Sequence, residues 1–141
     1  MTTQRPLRIL MSDQTQARLG DAVADVLGGR AFEPVIAAQQ HGNEPGDVDV
    51  AFISRDVTGL STKHRVLEPL ESFYVSLRNS PRLAWVHAHS AGADRPIFGE
   101  LKERGVRVTT SSGANGQVVA QTALAGILAL AREFPRMFDA Q

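Results

Sequence analysis

With 141 residues, 43% hydrophobic and 21% charged, the chain has the length and composition of one globular domain that buries its own core, not of a disordered segment. Fifteen basic and fifteen acidic residues cancel, so no global field recruits nucleic acid or an anionic membrane, and neither partner is expected. Cysteine is absent, which excludes disulfides, thiolate metal sites and a cysteine nucleophile, and suits a cytoplasmic location.

No signal peptide is expected in "MTTQRPLRILMSDQ", whose short apolar run is broken by Arg8. "LRILMS" (7–12) reads as a buried strand. Ser12 or Asp13 then offers an N-cap for a helix through Leu27, closed by Gly28-Gly29, with Leu19, Val23, Val26 and Leu27 as its apolar face. "FEPVIA" (32–37) is a second strand, and Pro34 puts it near an edge. "QQHGNEPGD" (39–47) reads as loop and "VDVAFIS" (48–54) as a third strand. Residues 62–79 are expected to be helical, capped by Thr62 and stopped at "NSP". "LAWVHA" (83–88) is a fourth strand, "RPIFGELKERG" (95–105) a helix with Pro96 in its first turn, and "VRVTT" (106–110) a fifth strand. "GQVVAQTALAGILALAREF" (116–134) is the longest helix, and its apolar part is too short to span a bilayer.

Strands alternating with helices through short connections predict a parallel α/β sandwich. Ligands of such sheets gather beyond the carboxyl ends of the strands. "SDQ", "SRD", "HSAGAD" and "TSSGANG" all fall there. Small residues at a strand-to-helix turn let main-chain N–H groups approach an anion that side chains would otherwise block. Two such turns, at 89–94 and 109–116, describe a site for a small polar molecule better than one does. His87-x-His89 has metal-binding spacing, but no third ligand pattern accompanies it, so no metal is expected. Asp94 reads as a helix cap.

At "LAWVHAHSAGAD" followed by "LKERGVRVTTSSGANGQVVAQTALAGILALAREFP" the sequence resembles the N-terminal substrate-binding domain of D-isomer-specific 2-hydroxyacid dehydrogenases. The likeness is dense over residues 83–135 and looser over 7–80. It implies a flavodoxin-like five-stranded parallel sheet with helices on both faces. It also implies an oxidoreductase that interconverts a 2-keto acid and a D-2-hydroxy acid with NAD or NADP. On this resemblance Ser54, Arg55, Ser90, Ala91 and Gly92 would bind the substrate. The Ala91 and Gly92 amides would hold its carboxylate, and Asn115 would face the nicotinamide.

The chain also departs from the pattern. "VAQT" puts Gln121 and Thr122 where the family has a carboxylate and an imidazole, and no G-x-G-x-x-G occurs anywhere. The family's catalytic arginine, acid and histidine have no counterpart here, so no catalytic residue is expected in this chain. Residues 1–141 are expected to form a single substrate-binding domain, with a core at 7–115, a connecting helix at 116–134 and a tail to 141. The cofactor-binding domain would be absent, the chain a truncated piece or a stand-alone domain, no cofactor bound by it alone, and the isolated chain inactive. With polar residues so few in 117–134, a homodimer through 117–138 is expected. Two other classes compete. A phosphoacceptor receiver would use Asp13 and Asp56 but lacks a lysine at Thr109-Thr110, and a non-catalytic module would sense a small acid on the same cleft.

Overall fold

The computed structural model describes residues 5–37 and 48–140, so the expected loop at 39–47 lies outside the described residues. The chain divides into two compact units, Met1–Ser111 and Ser112–Gln141.

In the first unit β1 (Leu7–Met11), β2 (Phe32–Ile36), β3 (Val50–Ile53), β4 (Trp85–Ala88) and β5 (Arg107–Thr110) form one sheet in the order β2-β1-β3-β4-β5. Every pairing is parallel. This is the flavodoxin-like order, which reverses direction between β1 and β3. Pro34 lies on an edge strand, where a missing N–H disturbs the ladder least. The helix α1 (Asp13–Val26) follows β1, α2 (Arg55–Thr58) and α3 (Leu70–Arg78) join β3 to β4, and α4 (Pro96–Glu103) joins β4 to β5. Ser12, not Asp13, caps α1, its Oγ accepting from the Thr15 N–H at 3.1 Å.

Alternation along the strands splits the sheet into two unequal faces. Leu10, Ala51, Ile53, Val86 and Ala88 point into the main core, closed by Val57 of α2, Phe73 and Leu77 of α3, and Phe98 and Leu101 of α4. Two arginines fasten this layer. Arg78 of α3 grips Glu100 of α4 through Nε at 2.8 Å and Nη2 at 3.1 Å. Arg104 donates to the carbonyls of Leu77, Arg78 and Ser80 at the end of α3. Within this unit α1 packs on the opposite face and covers it incompletely. Thr15 is the one buried residue of α1, and Val26, expected on its core face, is 87% exposed. Between α1 and the strands lies an apolar cavity of about 410 Å³, lined by residues that include Leu19, Val23, Val26, Phe52 and Trp85.

The helix expected over 62–79 is confined to Leu70–Arg78. Thr62 makes a local turn instead of a cap, its Oγ1 accepting from the N–H groups of His64 and Arg65 at 3.3 and 3.1 Å. Pro69 then disfavours helical backbone at the residue before it. The four residues of α2 are too few to leave a periodic signal.

The second unit holds α5 (Gly116–Ala131) and α6 (Phe134–Asp139). The single helix expected over 116–134 is thus divided. Pro135 cannot continue α5, since it lacks an N–H and its ring would clash with the carbonyl of Ala131. The chain turns at Glu133, whose φ is 55°. No residue of α5 is buried. Among the described residues no helix is long and apolar enough to cross a membrane.

Candidate functional site

The site is built at the carboxyl ends of β1, β3 and β4. Ile53 pairs with Ala88 in the β3–β4 register, so Ser54 and His89 leave the sheet side by side. The His89 N–H donates to the Ile53 carbonyl at 2.9 Å, and Nε2 of His89 is 3.1 Å from Oγ1 of Thr58 in α2. The chain then turns through Ser90, Ala91 and Gly92, with Ala91 and Gly92 exposed.

Hydrogen bonds fix which way this turn presents its peptide groups. The Ser90 carbonyl accepts from the Ser111 N–H at 3.0 Å. The Ala91 carbonyl accepts from Oγ1 of Thr110 at 3.2 Å, and the Gly92 carbonyl from Oγ of Ser90 at 2.9 Å. All three carbonyls are therefore engaged. The N–H groups of Ala91 and Gly92 donate to no acceptor among the described residues. Two adjacent exposed amide donors with their carbonyls tied back form a cradle for an anion.

On the β3 side, Ser54 is 6% exposed and precedes α2, while Arg55 is exposed. Oγ of Ser54 lies 3.4 Å from Oγ of Ser12 at the end of β1. Burial alone would raise the pKa of Asp56, but hydrogen bonds from Ser12 and Ser54 outweigh it, joined by its own backbone N–H and the charge of Arg18. The carboxyl is held below its ordinary value. His89 is also shifted down, by burial first, then by the positive charges of Arg55 and Arg95, with Asp56 opposing. The imidazole therefore sits in a positive field at this edge.

A second cavity, about 430 Å³, opens where β1 and β3 diverge, between the start of α1 and the start of α2. Gln14, Arg18 and Leu19 of α1 line it with Phe52, Ser54, Arg55 and Asp56. Ligands of open α/β sheets occupy this reversal point. The sequence pointed to Ser54 and Arg55 but missed Arg18, because only the strand order brings α1 against α2.

Several expected residues have other partners. Asp94 does not cap α4, whose N-cap is Arg95; its carboxylate lies 3.8 Å from Nζ of Lys63. Arg95 ties the preceding loop down through the carbonyls of Thr62 and Ser61, both at 2.8 Å. His87 stacks on Phe52 at 5.7 Å and meets Oγ1 of Thr109 at 2.8 Å, whereas His89 is bound to Thr58, so the two imidazoles serve separate partners. Asn115 precedes α5 in the second unit and makes no side-chain cap. Oγ1 of Thr122 donates to the Val118 carbonyl at 2.9 Å.

No family model and no curated protein sequence matches the chain. Solved structures do match it. D-lactate dehydrogenase from Aquifex aeolicus, crystallised with NAD and lactic acid, superposes with a TM-score of 0.54 and 20% identity, over 94% of this chain and 36% of that one. The apo form of D-mandelate dehydrogenase from Rhodotorula graminis superposes with a TM-score of 0.56 and 22% identity, over 89% of this chain and 37% of that one. The chain thus spans little more than a third of either protein, and at these identities the likeness shows a shared fold.

Proposed function

We propose that this chain is the substrate-holding domain of an oxidoreductase that interconverts a 2-keto acid and a D-2-hydroxy acid with NAD or NADP. One observation carries the reading: at the exposed residues Ala91 and Gly92 two amides have no acceptor among the described residues, in a turn whose carbonyls are all engaged. A planar carboxylate accepts two such donors at once, and Arg55, whose charge acts on His89 at the start of this turn, would supply the charge. Holding the carboxylate orients the adjacent carbonyl and lowers the entropic part of the barrier to hydride transfer. The likeness in fold to a D-lactate and a D-mandelate dehydrogenase supports the same class of small acid.

The donor set suits a carboxylate and does not amount to a dinucleotide site. G-x-G-x-x-G is absent, and the ionised Asp56 beside Arg55 would repel a pyrophosphate. NAD or NADP, which supplies the hydride, is therefore assigned to residues other than these, and no step is routed through it. The 141-residue chain by itself is expected to leave NADH and NADPH unoxidised in the presence of 2-keto acids.

Titrating the ¹⁵N-labelled chain with pyruvate tests the reading. The Ala91 and Gly92 amides are expected to shift with a Kd of about 1 mM, equivalent to about −4 kcal/mol. Arg55→Ala is expected to weaken binding several-fold. Shifts confined to another face, or an Arg55→Ala chain that binds as well, would reject it.

A further inference from the structure

We propose that the acid taken at this edge is a dicarboxylate: the cavity at the β1/β3 reversal receives the distal carboxylate of a 2-keto diacid of four or five carbons, with Arg18 as its charge partner. The proposal rests on the substrate reading above and extends it to the far end of the molecule. Arg18 and Arg55 line the same 430 Å³ space, and neither guanidinium makes a hydrogen bond or ion pair within the described residues. By contrast, the Arg95 guanidinium donates to two carbonyls and that of Arg104 to three. A guanidinium presents five donors in a planar fork matched to a carboxylate.

Two arginines and one acid, Asp56, line the cavity. Burial would raise the Asp56 pKa, but Ser12, Ser54 and the Arg18 charge favour the ionised carboxylate and hold it below its ordinary value. The cavity is left with one net positive charge. A monocarboxylic acid on the 90–92 turn would engage Arg55 and leave Arg18 facing an empty polar space. Gln14 stands one helical turn before Arg18, so both project into the cavity from the same side of α1. Leu19 and Phe52 supply an apolar wall for the methylene groups between the two carboxylates.

The strand order puts the turn after β4 and the helix after β1 two strand intervals apart, about 10 Å. On this proposal a diacid of four or five carbons spans from the 90–92 amides toward Arg18. Arg18 is exposed on α1, outside the core, so its replacement by glutamine, a good helix former, leaves the fold intact.

Calorimetric titration of the 141-residue chain with 2-oxoglutarate and with 2-oxopentanoate decides it. The two acids share five carbons and differ in a terminal carboxylate against a methyl group. The diacid is expected to bind at least tenfold more tightly. Arg18→Gln is expected to abolish that preference. Equal affinities in the parent chain, or a preference that survives in Arg18→Gln, overturns the dicarboxylate proposal and leaves the monoacid site standing. Binding of neither acid overturns the substrate reading, and this proposal with it.

Discussion

Asp56 is where burial and hydrogen bonding compete most directly. Burial favours its neutral form, yet the Ser12 and Ser54 hydroxyls and the Arg18 charge prevail and depress its pKa. A carboxyl depressed in the folded state contributes stability above its unfolded pKa of about 3.9 and loses it as pH falls through the lower folded value. Urea midpoints measured from pH 7 downward are therefore expected to fall below about pH 4 in the parent chain and to fall less in Asp56→Asn. His89 titrates in a separate window. Its depressed pKa makes its contribution decline from about pH 6.5 downward, so the two groups can be distinguished. At this scale the sequence was only partly legible. Ser54, Arg55 and the 90–92 turn could be named because each closes a recognisable strand. The Ser12–Ser54 contact joins residues 42 apart in sequence, and nothing local announces it. No local motif marks Arg18; only the strand order sets it beside α2.

Among the elements, α1 and α5 carry apolar surface beyond what their own units bury. In α5, Val118, Val119, Leu124, Ile127, Leu128 and Leu130 are all exposed, and they surround most of the helix. A helix apolar on every side needs cover on every side. The chain is expected to associate through residues 117–138, most simply as a two-fold dimer. Light scattering should give a dimer mass at high concentration and a monomer mass for Leu128→Glu. A monomeric parent chain, with Leu128→Glu altering only solubility, would reject the association. Strands were the more legible elements, because short apolar runs bounded by glycine, proline or serine leave few alternatives. Helix limits were less so. A threonine that serves a turn and one that caps a helix look alike in sequence, so the sequence places a cap at Thr62 and a helix start well before Leu70. Pro135 carried the signal for the α5–α6 break, but the apolar run around it masked the change of direction.

In the first unit taken whole, the two ends of the sheet differ in how completely their polar groups are satisfied. At the amino end Asp49 is engaged on several sides: it pairs with Arg5, accepts from the backbone N–H of Arg8 at 2.9 Å, and lies 3.6 Å from Nε of Arg82. At the carboxyl end Arg18, Arg55 and the amides of Ala91 and Gly92 have no such partners among the described residues. Binding capacity is thus concentrated at one end, and that polarity follows from parallel strand order alone. Within this unit the faces differ as well, one packed by α2, α3 and α4 and the other by α1 beside an apolar cavity. The chain's single tryptophan stands on the α1 face, 41% exposed and edge-on to His87 at 6.4 Å. Indole emission moves to shorter wavelength when water leaves the ring, so the fluorescence of the whole chain is an optical signal from this one face. Raising the protein concentration is expected to shift the emission maximum to the blue if a second copy settles over Trp85, and to leave it unchanged if the copies meet elsewhere. Titration with a small acid at the carboxyl edge should leave the colour of the emission where it was.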